Sequence, residues 1–177
     1  MTTLQTVSPL VPSFGDEDTG RTFAVICSKG NLDMAYPGLI LANAALGEGV
    51  ETHLFFTFWG FDMITKSRMH DLAFSPAGNA AMHLPSGNVR LPQALAPLPG
   101  MTAMATHLLK KQIAEAGVPE VPDFLDQIVA AGGHLWACQL SAEMMKVTAE
   151  DLRDDVEGII SAADFIEKTD GAQLMFV

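Results

Sequence analysis

Gly132-Gly133-His134-Leu135-Trp136-Ala137-Cys138-Gln139-Leu140-Ser141 is the stretch on which the reading of this chain turns. Two glycines stop whatever precedes it. A short apolar run then ends on a thiol, and a polar residue opens a pattern suited to a helix. It reads as a buried strand feeding directly into a helix, the repeating unit of an α/β sheet. A thiol at such a junction faces unpaired backbone N–H groups and the positive end of the helix dipole, and both favour the thiolate. Cys138 is therefore the first candidate nucleophile. Free cysteine also serves as a small apolar filler, and the Cys138-x-x-Ser141 spacing is common.

Working outward, the same alternation recurs. Phe23-Ala24-Val25-Ile26-Cys27 reads as a central strand bounded by Gly20 and by Lys29-Gly30-Asn31. Asn31 or Asp33 would cap a helix over Met34 to Leu46, with Pro37 in its first turn if Asp33 is the cap. Thr52 to Phe58 reads as the second strand. Residues 66–100 hold five prolines and little periodicity, an excursion of the kind that is often functional or buried at an interface.

Met101, Met104, Ala105, Leu108 and Leu109 make an apolar stripe on a helix to about Ala116. A second helix starts near Pro122 and is stopped by Gly132-Gly133. After the Cys138 strand comes a short helix to about Lys146, and Thr148 and Asp151 stand at capping-box spacing. Val156, Ile159, Ile160, Ala163 and Ile166 predict one apolar face of a final amphipathic helix, before a last strand at Leu174–Val177. The expectation is a three-layer α/β/α domain over 21–177 with a mainly parallel sheet, preceded by a flexible tail over 1–20. In such sheets the strand carboxyl ends carry the site, and Cys27 and Cys138 both fall there.

Composition narrows the chemistry. Hydrophobic residues make up 49% and charged residues 18%, which is globular, and the net charge of −11 argues against nucleic acid or an anionic membrane as partner. Two cysteines are too few for a disulfide framework. Met1 to Gly20 has Pro9, Pro12 and three acids without a basic start or an apolar run, so no secretory leader is expected. No apolar stretch approaches the roughly 20 residues of a membrane helix. The expected address is the cytoplasm, where thiols stay reduced.

Other candidates are weaker. Cys27 either completes a packed strand or acts as a second thiol. Ser28, Lys29, Gly30 and Asn31 form either a tight turn or an anion-binding loop, without the full phosphate-loop pattern. The five histidines show no HExxH or close pairing, so no metal site is expected. His134 lies about 13 Å from Cys138 at strand rise and is a poor base for the thiol.

These residues resemble the DsrE/DsrF-like sulfur-relay family, close to a branch often labelled peroxiredoxin-like. The resemblance rests on Val25-Ile26-Cys27-Ser28-Lys29-Gly30-Asn31-Leu32-Asp33, on Phe55-Phe56-Thr57-Phe58-Trp59-Gly60, and on Trp136 through Met145. It also takes in the ending from Val156-Glu157-Gly158 through Gly171-Ala172-Gln173. It implies a three-layer domain in a homo- or hetero-oligomer, with a persulfide on the cysteine after the third long strand, here Cys138. Many relatives carry Gly where this chain has Lys146. A peroxidatic site needs Thr-x-x-Cys near a proline, and neither cysteine has Thr three residues before it.

The reading is a sulfurtransferase-like persulfide carrier without a cofactor. Its acceptor would be a small sulfur-carrier protein or a low-molecular-weight thiol. The acidic surface would meet a basic patch on a carrier partner. The rivals are a non-catalytic assembly subunit and a flavodoxin-like nucleotide or flavin binder.

Overall fold

The computed structural model describes residues 20–83 and 90–177. The tail expected over 1–20 lies outside the described residues except for Gly20. Five strands, β1 (Thr22–Cys27), β2 (Glu51–Phe56), β3 (His134–Cys138), β4 (Val156–Ile160) and β5 (Gln173–Phe176), form one sheet in the order β4-β3-β2-β1-β5. Every pairing is parallel. The helices are α1 (Leu32–Gly47), α2 (Met101–Glu115), α3 (Val121–Ala130), α4 (Gln139–Met145) and α5 (Ala162–Lys168).

The chain steps in one direction from β1 to β4 and then crosses to the far edge for β5. Right-handed crossovers put the connections of opposite steps on opposite faces. Accordingly α1 and α3 pack together over one face. On the other face the Phe165 ring of α5 stacks on Phe55 at 4.4 Å. The protein is a three-layer α/β/α fold whose third layer, among the described elements, is the short α5.

Register assigns side chains to these faces. Cys27 pairs with Phe56, and Phe56 with Ala137, so those three share the α1/α3 side. Cys138, the next residue along, points to the α5 side with Trp136, Phe55 and His53. Gly38 brings α1 close to β1 on the first face, where an added Cβ would lie 3.2 Å from Val25 and 3.7 Å from the Cys27 sulfur.

Three expectations need correction. Residues 156–160 are strand β4, and the helix is confined to α5. A β-branched run that also fits helical spacing is ambiguous by periodicity alone. What decides it is Ser161, whose hydroxyl accepts the Asp164 N–H at 3.1 Å while the Asp164 carboxylate accepts the Ser161 N–H, a capping box that starts the helix there. Helix α1 begins at Leu32, so Pro37 sits inside it and not in its first turn. Pro37 lies on the exposed side, where water can replace the donor it lacks. Strand β2 ends at Phe56, and Phe58–Met63 turns into a 3₁₀ helix.

The expected capping box at Thr148 and Asp151 is present. Excursion 66–100 is irregular where described, tied down by the Phe74 N–H donating to the Thr106 hydroxyl of α2 at 2.8 Å. The stripe on α2 is only half covered: Ala105 alone in that helix is fully buried, while Met104 is exposed. Unforeseen in the sequence is a buried Arg153, which pairs with Asp126 and Asp155 and donates to the Pro122 carbonyl at 3.3 Å. It clamps the segment before β4 onto α3.

Candidate functional site

Cys138 closes β3 and is the residue from which α4 departs, with an extended backbone at φ −73°, ψ 122°. One helical turn later Ser141 returns to it, so the x-x spacing of the sequence becomes a contact. Burial raises the thiol's pKa. That effect is outweighed by hydrogen bonds from the Ser141 N–H and hydroxyl, the Thr57 hydroxyl and the Leu140 N–H, and the thiol is held below its ordinary value. Individual donors aimed at the sulfur, more than any dipole of so short a helix, favour the thiolate.

Ser141 is itself fixed. It is 2% exposed, lies 3.0 Å from the Thr57 hydroxyl, and accepts the Phe58 N–H at 2.9 Å. Either hydroxyl can supply the proton of the Thr57–Ser141 bond, which leaves the other O–H of the pair to point at the sulfur. Phe58 adopts φ 46°, a left-handed conformation unusual for a bulky residue, at the turn where its N–H donates to Ser141. Cys138 is 7% exposed, and the two segments that meet at it carry exposed apolar side chains: Phe58 and Trp59 at the β2 exit, Leu140 and Met144 on α4. They offer apolar surface to a docking partner.

One variant isolates the hydroxyl. In Ser141→Ala the alkylation profile of Cys138 should move to higher pH, because the thiolate loses a donor while the thiol does not. At neutral pH the rate should fall roughly tenfold, the weight of one hydrogen bond to a charged group. An unchanged rate–pH profile, measured with iodoacetamide, would show that Ser141 does not support the thiolate.

Cys27 is different in kind. It is 1% exposed beneath α1, and burial pushes its thiol up to about 12. It lies two strands from Cys138 and on the opposite face of the sheet. Two strand spacings are about 9.6 Å, beyond the reach of a disulfide. Both cysteines are free.

The loop Ser28–Asn31 follows β1 at the same sheet edge, and the donors of Ser28 have partners. The Ser28 N–H and hydroxyl both donate to the Val177 carbonyl, at 2.8 and 2.7 Å. The Asn31 carbonyl accepts the Met34 and Ala35 N–H groups that open α1. Gly30 lies against the Trp59 carbonyl and Asp62, and Lys29 is exposed. The structure thus brings the loop to the edge that carries Cys138 without aiming it at the sulfur.

Sequence reasoning singled out Cys138 but not Thr57 and Phe58, which the structure brings to Ser141. The available signal was that β2, like β3, delivers its last residues to the carboxyl edge, so a hydroxyl there has a neighbouring strand's thiol within reach.

Comparison with known proteins agrees with this architecture. The chain is 33% identical over 146 residues to the sulfur carrier protein DsrE2 of Allochromatium vinosum, covering 82% of this chain and 91% of that one. It is 25% identical over 171 residues to the uncharacterized protein YrkE of Bacillus subtilis, covering 91% and 99%. Among solved structures it is similar to MTH1491 of Methanobacterium thermoautotrophicum, a protein of unknown function. That match has a TM-score of 0.54 at 9% identity over 89% of this chain and 99% of that one, and it shows the fold alone. A model of the DsrE/DsrF/DrsH-like family matches residues 19–176, nearly the whole chain. The chain belongs to the DsrE/DsrF/DrsH-like family.

Proposed function

We propose that the protein is a persulfide carrier in a sulfur relay, with Cys138 as the sulfur-bearing residue. The observation that carries this reading is the thiol at the end of β3, held below its ordinary pKa by the donors of Ser141, Thr57 and Leu140. The kinship with a protein named as a sulfur carrier supports it.

In the loading step the Cys138 thiolate attacks the outer sulfur of a donor persulfide R–S–SH. A Cys138 S–S bond forms as the donor S–S bond breaks, and the electron pair leaves with the donor thiolate R–S⁻. No net oxidation occurs and no cofactor is required. Unloading is the same exchange with an acceptor thiolate attacking the outer sulfur, so that Cys138 leaves as a thiolate that the same donors stabilise. The low basicity that makes Cys138 a ready thiolate also makes it a good leaving group. The acceptor is a small carrier protein or a low-molecular-weight thiol in a reducing, cytoplasmic setting. The protein works as a homo-oligomer.

Single-turnover transfer tests this function. Protein loaded from polysulfide and freed of excess reagent should release its sulfane sulfur to an added acceptor thiol, returning to its starting mass. Retention of the sulfur in the presence of excess acceptor would exclude a carrier role.

A further inference from the structure

At the opposite end of the α5-side face from Cys138, β2 and β3 bring together residues that the thiol chemistry does not use. Glu51 and His53 alternate onto this face from β2, and His134 is the register partner of His53 on β3. A register shift between Leu135 and Trp136 leaves Glu157 as the extra residue of β4, and its carboxylate takes a hydrogen bond from His134 Nδ1 at 2.5 Å. One ligand atom each from Glu51, His53 and His134 lies within 4.8 Å of the others.

We propose that Glu51, His53 and His134 bind one divalent transition-metal ion of the zinc class, with Glu157 as the group that orients His134. The spacing and the His134 tautomer support this. Glu51 Oε1 accepts a hydrogen bond from His53 Nε2 at 3.3 Å, a contact that an ion between the two atoms would replace. Two ligands on a tetrahedral centre with bonds of about 2.0–2.1 Å stand about 3.3 Å apart, so this edge is already at coordination distance. The His134 Nδ1–H held by Glu157 leaves Nε2 with its lone pair, the carboxylate–histidine arrangement that sets a ring for a metal. Imidazole nitrogens with one or two carboxylates select zinc-like ions over magnesium or calcium.

Two adjustments accompany binding. The His53 and His134 rings stack at 4.6 Å with 18° between planes, and one ion cannot lie in both planes. His134, about a third exposed, is the ring that turns. His53 Nδ1 accepts the Trp136 indole N–H at 3.2 Å. Ligation through Nε2 places the proton on Nδ1, so the indole loses its acceptor, and Trp136 emission should report occupancy. The ion would join β2 to β3 at the amino end of the sheet, about 13 Å along β3 from the persulfide site.

The test uses the untagged full chain carrying Cys138→Ser, which removes the thiolate as a competing zinc ligand. Zn²⁺ is followed by calorimetry and tryptophan emission, and Co²⁺ by the visible bands of a tetrahedral ion. One ion per chain is expected, with a change in Trp136 emission. His134→Ala, at a partly exposed side chain, and Glu51→Gln, at an exposed one, should each weaken affinity at least tenfold, and Glu157→Gln about tenfold. Absence of uptake by the Cys138→Ser protein overturns the proposal. So does uptake that His134→Ala and Glu51→Gln leave unchanged while circular dichroism shows an intact fold.

Discussion

In competitive alkylation of the native protein at neutral pH, Cys138 should be modified at least about a hundredfold faster than Cys27. Only the thiolate reacts. With its pKa at about 12, Cys27 is ionised to the extent of about one part in 10⁵ at pH 7. Cys138, held below its ordinary value of 9.0, exceeds about one part in 10². The ratio of thiolates is therefore at least about 10³. Nucleophilicity falls with basicity by a Brønsted slope of about 0.4–0.5, which returns roughly thirtyfold to Cys27 over three units. Access adds to the ratio, since Cys27 is 1% exposed under α1 while Cys138 is 7% exposed where β3 ends. Peptide mapping after a short pulse of iodoacetamide measures the ratio, and denaturant should bring the two sites close together. Equal, slow labelling of both in the native state would mean that the donors around Cys138 do not set its ionisation.

The second large effect belongs to Gly60, a residue with no chemistry of its own. Gly60 rests on the end of β1, where a Cβ would collide with the Cys27 carbonyl oxygen and lie 2.8 Å from its carbonyl carbon. That oxygen already accepts the Thr57 N–H at 3.0 Å. Both sides of the collision are backbone, so no side-chain rotation relieves it. Gly60→Ala should cost about 3 kcal/mol or more in denaturant unfolding, at the upper end of overpacking effects. Because the strain falls on the turn that carries Thr57 and Phe58, alkylation of Cys138 should slow as well. Gly158→Ala is the control. Its nearest neighbour, Trp136, would be 3.8 Å away, and stability should change by no more than about 0.5 kcal/mol. A Gly60→Ala protein as stable as the control would show that the β1–Phe58 contact is slack.

What could be read from the sequence followed the range of the forces involved. Phe23–Cys27 and His134–Cys138 declare themselves because a fully buried parallel strand is a continuous apolar run between breakers. Val156–Ile160 does not, since its β-branched residues also satisfy helical spacing, and only the Ser161–Asp164 box tells where the helix begins. Cys138 is legible as a strand-to-helix thiol. Its partner Thr57 is not, since Thr57 meets Ser141 across 84 residues and is placed by β2–β3 pairing. The histidine–glutamate cluster is hidden for the same reason: His53 and His134 become neighbours only through register. Arg153 looks like an ordinary surface cation until Asp126, from α3, is folded against it.

The central claim is that sulfane sulfur resides on Cys138. Intact-mass measurement after exposure to polysulfide, followed by peptide mapping under non-reducing conditions, tests it most directly. The wild-type and Cys27→Ala proteins should each gain one sulfur atom that reductant removes, located on the peptide containing Cys138, and the Cys138→Ser protein should gain none. A Cys138→Ser protein that still takes up one sulfur, together with a Cys27→Ala protein that does not, would contradict the account and move the chemistry to the other cysteine.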